Sequence, residues 1–348
     1  DTIAWHTSWR PWSRTGSGWR DYLTEENIAL EKAENSDGMP WERANLPDTA
    51  YYDGRIASRA ISEMQRLNAE GKPFFLAVGF LKPHLPFNAP EKYWQLYDSM
   101  QISLPDNYQR PETTPEEAYH KFGELRQYAL IPEKGPVSEE TARKLLQGYY
   151  ACVSYTDAQI GRLMQALREN GLEENTIVIL WGDHGWNLGD HQMWCKHCNF
   201  ASSLKTPMLL KAPGFPAGQR SQTIVEYVDI YPTLADLAGL PLPDHLQGES
   251  MRPLLEGKPR EKNYAISKYF GGLTLVKGDL HYTEYINEKD EVQARMLFDH
   301  STDPLELNNL AEKPDYSETV AELSGFLRQH RGEDFFVKKI AASDKNTR

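Results

Sequence analysis

No stretch of this 348-residue chain stays apolar for the ~18 residues that a bilayer-crossing helix requires, so no membrane span is expected. Positive charge is also short: 38 Lys and Arg face 50 Asp and Glu, a net charge of −12. A surface that neutralises nucleic-acid phosphates needs a basic excess, so nucleic acid is excluded as a partner and any bound anion must meet a local basic pocket. Cysteine is scarce. Cys152, Cys195 and Cys198 cannot build a disulfide framework, and the Cys195-Lys196-His197-Cys198 spacing lacks the second ligand pair of a zinc site. Repeats and low-complexity tracts are absent. The start, Asp1-Thr2-Ile3-Ala4-Trp5, has neither an initiator Met nor a leader-like region, so the chain is expected to begin inside a longer product.

What remains is ordinary for a globular protein, 40% apolar and 25% charged, with enough length for one large domain and a smaller appendage. Trp5, Trp9, Trp12 and Trp19, interleaved with His6, Arg10, Arg14 and Arg20, follow no period; they read as a surface loop whose tryptophans chiefly anchor it to the body. Helical spacing of Ile56, Ala60, Met64 and Leu67 ends at Glu70-Gly71, and the apolar run Phe74 to Gly79 then reads as a buried strand. Ser138 with Glu139 and Glu140 starts a second helix, running to Asn170-Gly171 with Leu145, Tyr149, Val153, Ile160, Leu163 and Leu167 as its stripe. Thr176 to Leu180 reads as another buried strand, and Pro207 to Leu210 looks like a further strand. Alternating helices and wholly apolar strands predict a mainly parallel sheet covered by helices. From about Glu261 the pattern changes to short β segments, Tyr264 to Lys268, Leu273 to Lys277, Leu280 to Ile286 and Arg295 to Phe298, with an amphipathic helix from Ser317 to Gln329 and a charged tail, Ala341 to Arg348, that frays.

In sheets of this kind ligands sit beyond the carboxyl ends of strands, and Lys82-Pro83-His84 and Asp183-His184 follow the two apolar runs. Asp183 offers a hard carboxylate and His184 an imidazole, in a turn whose flanking glycines allow close backbone approach. Two ligands cannot complete a calcium or magnesium shell, which takes about six or more. By spacing alone, cation binding and a merely local role, an Asp cap beside a satisfied His, are both open.

The string Trp181-Gly182-Asp183-His184-Gly185-Trp186-Asn187-Leu188-Gly189-Asp190-His191, followed by Trp194-Cys195-Lys196-His197-Cys198-Asn199-Phe200, resembles the sulfatase family, formylglycine-dependent members of the alkaline-phosphatase-like superfamily. Lys82-Pro83-His84-Leu85-Pro86-Phe87, Ser154-Tyr155-Thr156-Asp157, Val228-Asp229-Ile230-Tyr231-Pro232-Thr233 and Leu297-Phe298-Asp299 extend the likeness over nearly the whole chain. The resemblance implies an α/β alkaline-phosphatase-like sandwich with a large mainly parallel or mixed sheet flanked by helices. A smaller C-terminal antiparallel sheet with a covering helix completes it, residues 1–258 belonging to the catalytic domain and 259–348 to the smaller subdomain. It implies hydrolysis of sulfate esters on a sulfated oligosaccharide, a 2-O-sulfated uronic acid being the first choice, in a periplasmic, secreted or lysosomal setting. Asp183 and His184 match metal ligands, with calcium as the implied ion although an imidazole is atypical for so hard a cation. Lys82 and His84 match sulfate-contacting residues, His84 being a candidate proton donor, and Lys196 matches the lysine that reaches the sulfate and the leaving oxygen. Trp186 and His197 fall where the sugar is contacted, although the uronate-specific branch has tyrosine in place of His197.

One family feature is missing. The Cys-x-Pro-x-Arg sequence that carries the formylglycine nucleophile is not in these 348 residues, nor is the early Asp-Asp pair of the metal shell. The expected partner is therefore an N-terminal segment of the same protein, possibly a separate chain, and this chain alone is expected to be inactive. A phosphodiesterase or phosphonate hydrolase of the same superfamily, and a non-catalytic glycan-binding relative, are the alternatives.

Overall fold

A computed structural model describes residues 7–14, 18–32 and 37–330. Trp5, His6 and the charged tail fall outside the described residues. The chain forms two compact units, Asp1–Pro105 with Lys121–Thr176, and Asp106–His120 with Ile177–Arg348.

The first unit contains helices α1 (Glu25–Lys32), α2 (Tyr52–Glu70), α3 (Glu91–Gln95), α4 (Gly123–Arg126) and α5 (Glu139–Glu169), and strands β1 (Trp41–Ala44) and β2 (Phe87–Pro90). Helix α2 stops where predicted, Gly71 taking a left-handed φ of 66° that a side chain would resist. Helix α5 starts where predicted, because the Ser138 hydroxyl accepts the Thr141 N–H at 3.2 Å. Its buried face holds Ala142, Leu145, Leu146, Cys152, Tyr155, Ala166 and Leu167, whereas Val153 is 42% exposed. The predicted stripe stepped by four residues from Leu145 to Val153, and each such step rotates about 40° off a 3.6-residue period. Against this face pack β2 and Trp94, which is fully buried and donates its indole N–H to the Glu42 carbonyl at 3.1 Å. A fully buried tryptophan of this kind contributes about 3–5 kcal/mol against alanine.

Phe74 to Gly79 adopts no regular strand among the described residues, and Phe75 is 69% exposed, so the apolar run does not translate into full burial. The parallel pair lies elsewhere, with Trp41 opposite Phe87 and Ala44 opposite Pro90.

The second unit contains β3 (Val178–Trp181), β4 (Asn187–Leu188), β5 (Trp194–Cys195), α6 (Ala201–Leu204), β6 (Met208–Lys211), α7 (Ile230–Leu237) and α8 (Arg252–Leu255). A meander follows, β7 (Tyr264–Tyr269), β8 (Gly272–Lys277), β9 (Leu280–Ile286) and β10 (Val292–Asp299), then α9 (Ser317–His330). These four strands form the predicted antiparallel sheet in the order β10-β9-β8-β7. Leu273, Leu275, Tyr282 and Leu297 from the sheet meet Leu323 and Leu327 from α9 in one apolar core. Strand β3 pairs antiparallel with β6, Trp181 opposite Met208. Burial was expected for Thr176 to Leu180, yet Val178 to Leu180 are only half-buried, and the neighbouring Trp181 and Leu209 are 44% and 60% exposed, since the described residues leave part of this ladder uncovered. No helix among the described residues is long and apolar enough to cross a membrane.

Candidate functional site

The candidate residues divide between the units. In the first, the Lys82 turn is fixed by Asp53, a buried residue in the first turn of α2 whose carboxylate accepts the Leu81 N–H at 3.0 Å and the Lys82 N–H at 2.8 Å. Burial pushes the Asp53 carboxyl above its ordinary range, opposed by those two hydrogen bonds and by Lys82. The Lys82 ammonium donates to the carbonyls of Trp19, His84 and Pro86 at 3.3, 3.2 and 2.6 Å, so its three donors are matched. Burial pushes it below its ordinary range, against the opposing pull of Cys152, Asp53 and Glu42.

His84 is held on two sides. Its Nδ1 lies 2.7 Å from the Leu85 carbonyl, its Nε2 2.7 Å from Glu124 Oε1, and the edge of Trp19 packs 5.2 Å away. Both ring nitrogens thus face oxygen atoms of the protein. The opening loop therefore does anchor through Trp19, while Trp9 and Trp12 are 47% and 75% exposed. Trp9 keeps one contact with the body, the Arg59 guanidinium of α2 lying 5.7 Å from its ring centroid, whereas the anchoring reading does not extend to Trp12.

In the second unit, Asp183 and His184 lie one residue, Gly182, beyond the carboxyl end of β3. Gly185 between His184 and Trp186 cannot be replaced: an added Cβ would stand 2.1 Å from the Ser202 carbonyl oxygen, and the Gly185 N–H donates to Ser203 at 2.8 Å. His184 Nδ1 lies 2.8 Å from the Gly185 carbonyl, which places the proton on Nδ1 and leaves the Nε2 lone pair 3.5 Å from Asp183 Oδ2. Asp183 is 87% exposed. This donor set suits a divalent cation: a carboxylate oxygen and an imidazole lone pair already lie about as far apart as two ligands of one ion.

Strand pairing brings up the next residues. Register in the β4–β5 hairpin sets Asn187 opposite Cys195, so Trp186 and Lys196 flank the ladder on opposite strands. The Lys196 ammonium lies 4.9 Å from the Trp186 ring centroid, and His184 stacks on the same indole at 6.0 Å and 29°. The Asn187 side chain ties the hairpin down, donating to the Cys195 carbonyl and to Ser203 Oγ at 2.9 Å each. Asp183, His184, Trp186 and Lys196 thus form one group, while His197 sits with His120 at 5.6 Å and Tyr269 at 5.7 Å.

Sequence reasoning missed Asp53, Glu124, His120, Tyr269 and Tyr227. The Tyr227 hydroxyl donates to the Gly182 carbonyl and meets Thr206, and its pKa is raised by burial and, more weakly, by Asp183. None of the five lies in a motif with fixed spacing; only the fold brings them near. All three cysteines are buried, Cys152 within α5 and with its thiol pushed up to about 12 by burial, so none fits a nucleophile.

Known proteins fit this picture. Mouse iduronate 2-sulfatase is 34% identical over 235 residues, 59% of this chain and 43% of the relative. The human enzyme is 33% identical over 258 residues, 65% and 47% respectively. The chain spans about half the length of the curated relatives it matches. Among solved structures, a phosphonate monoester hydrolase from Silicibacter pomeroyi superposes with a TM-score of 0.72 at 24% identity, over 91% of this chain and 67% of that one, the alkaline-phosphatase-like fold being common to both. An N-sulphoglucosamine sulphohydrolase C-terminal family model matches residues 189–333. The sulfatase family model matches residues 3–240, a span that includes every candidate residue from Lys82 to His197, and the chain belongs to the sulfatase family.

Proposed function

We propose that the complete polypeptide hydrolyses sulfate esters of a sulfated glycan, with a 2-O-sulfated uronic acid of a glycosaminoglycan-type oligosaccharide as the first substrate to test. The observation that carries this reading is the second unit's group of Asp183, His184, Trp186 and Lys196, a cation-ligating pair joined through one indole to a lysine.

A divalent cation held by Asp183 and His184, calcium in this reading, would polarise the sulfate oxygens. The chain's own groups do the rest. Lys196 places a positive charge for the sulfate and for the oxygen that departs, held in place by the face of Trp186. In the first unit, His84, held between Leu85 and Glu124, is the candidate proton donor and Lys82 the candidate sulfate contact, roles that rest on the family resemblance. Trp186 and His197 offer ring faces to a sugar. The attacking group comes from polypeptide outside these 348 residues, since none of the three cysteines is suitable.

The human and mouse relatives act on iduronate 2-sulfate by name, which supports a uronate, and His197 is the residue most suited to altering the choice of sugar. The phosphonate hydrolase shares the fold, so sulfate and phosphonate esters belong in the same assay. Sulfate release from 2-O-sulfated uronate oligosaccharides by the complete polypeptide supports the proposal; cleavage of phosphonate or phosphodiester substrates alone refutes it. Lys196→Ala should lower kcat about 10²- to 10³-fold with an unchanged melting temperature. Unchanged kcat would remove Lys196 from the site.

A further inference from the structure

Among the described residues, one group of side chains outside the proposed site converges as metal ligands do: His281 at the start of β9, His300 just beyond β10 and Glu306 in the loop that follows. His300 Nε2 lies 3.1 Å and His281 Nδ1 3.6 Å from the same carboxylate oxygen, Glu306 Oε1. The two imidazoles stack with centroids 3.7 Å apart at 21°. All three ligand atoms lie within 4.8 Å of one another.

Hydrogen bonding within the protein does not satisfy this group. His300 bonds Glu306, which leaves His281 Nδ1 buried and without a hydrogen-bond partner, 3.6 Å from the same carboxylate oxygen. Such an atom costs about 1–3 kcal/mol unless something meets it. A tetrahedral ion with bonds of about 2.0–2.1 Å spaces its ligand atoms about 3.3 Å apart, a value bracketed by the 3.1 and 3.6 Å separations seen here. One ion would engage His281 Nδ1, His300 Nε2 and Glu306 Oε1 together.

The surroundings are already built. Glu306 Oε2 accepts the Ala201 N–H at 2.9 Å, fixing the carboxylate from behind. Asp303 caps the loop by accepting from Leu307 and Asn308 at 3.1 and 2.8 Å, and the His300 N–H donates to Asp279 at 2.8 Å. Glu306 is only 3% exposed, at a left-handed φ of 55° that a non-glycine residue rarely adopts. Loop and carboxylate are preorganised, so little ordering remains for the ion to impose.

We propose that His281, His300 and Glu306 bind a zinc-class divalent ion, with water as the fourth ligand. Two imidazoles and one carboxylate select a borderline ion of the zinc or cobalt type over calcium. The ion clamps the 300–306 loop to β9 and, through the Ala201 N–H, to the start of α6, the helix that follows Lys196 and His197.

The test uses the full chain, stripped with a chelator and titrated with Zn²⁺ by calorimetry and with Co²⁺ by visible absorption. One equivalent is expected, with the absorption of a tetrahedral Co²⁺ site. His281→Ala and His300→Ala should each weaken binding about 100-fold or more, while the double variant Asp183→Ala, His184→Ala retains this equivalent. Melting of each metal-free variant checks its fold, and the more exposed His300 also allows a milder change, His300→Gln. Absence of binding to the folded wild-type chain would overturn the proposal. So would wild-type affinity in folded His300→Ala or His300→Gln, or loss of the ion only in the Asp183, His184 double variant.

Discussion

Replacing Asp229 with asparagine tests whether the Val228-Asp229-Ile230-Tyr231-Pro232-Thr233 string is chemical or structural. Asp229 is fully buried, and its Oδ1 accepts the Glu249 N–H at 2.9 Å while its Oδ2 accepts the Glu226 N–H at 3.0 Å. The Arg260 guanidinium lies 2.8 Å from Oδ1 and the Lys262 ammonium 3.4 Å, with side chains only 2% and 7% exposed. Burial alone would raise this carboxyl, but the Arg260 guanidinium beside it and the hydrogen bonds from the Glu226 and Glu249 backbone together outweigh it and hold the group below its ordinary range. Asp229→Asn removes the charge that two buried cations share and turns an NH₂ group toward one of the N–H donors. Breaking a buried pair by removing one partner costs about 3–5 kcal/mol. For a cooperative unit of about 200 residues this is roughly 10 °C in Tm. Urea unfolding followed by circular dichroism should show the midpoint falling with an unchanged slope. A loss below about 1 kcal/mol would refute the argument, since the site would then be too solvated for the ion pair to matter.

Gly185→Ala should distort the Asp183-His184 turn, because its Cβ would meet the Ser202 carbonyl at 2.1 Å; divalent-ion affinity at Asp183 and His184 is expected to drop at least about 10-fold, measured by calorimetry. Acid stability offers a separate check. His281 in the metal-free chain is pushed down to about 3 from 6.5, first by burial and then by His300 and Lys205. The unfolded chain therefore binds the extra proton in the window between those values, so stability is present above 6.5 and is lost as pH falls. The slope is about 1.4 kcal/mol per pH unit, roughly 3 kcal/mol by pH 4.5, and His281→Phe should abolish this contribution in chemical melts across the window.

Sequence alone determined the elements whose causes are local. The Ser138 cap and the Gly71 stop bound helices α5 and α2 because capping uses atoms a few residues apart. The C-terminal meander was legible because alternation and short turns fix antiparallel neighbours. Spacing alone left Asp183, His184 and Lys196 open, and it was the resemblance to the sulfatase family that singled them out as candidates. Only tertiary structure decided that Phe87–Pro90, rather than the more apolar run Phe74 to Gly79, pairs with Trp41–Ala44, since pairing depends on which edge is available rather than on apolarity. Tertiary structure also supplied Asp53 behind Lys82, Glu124 beside His84 and the convergence of His281, His300 and Glu306. These contacts join residues far apart along the chain or carry no motif, and distance in space is a quantity that spacing in sequence does not encode.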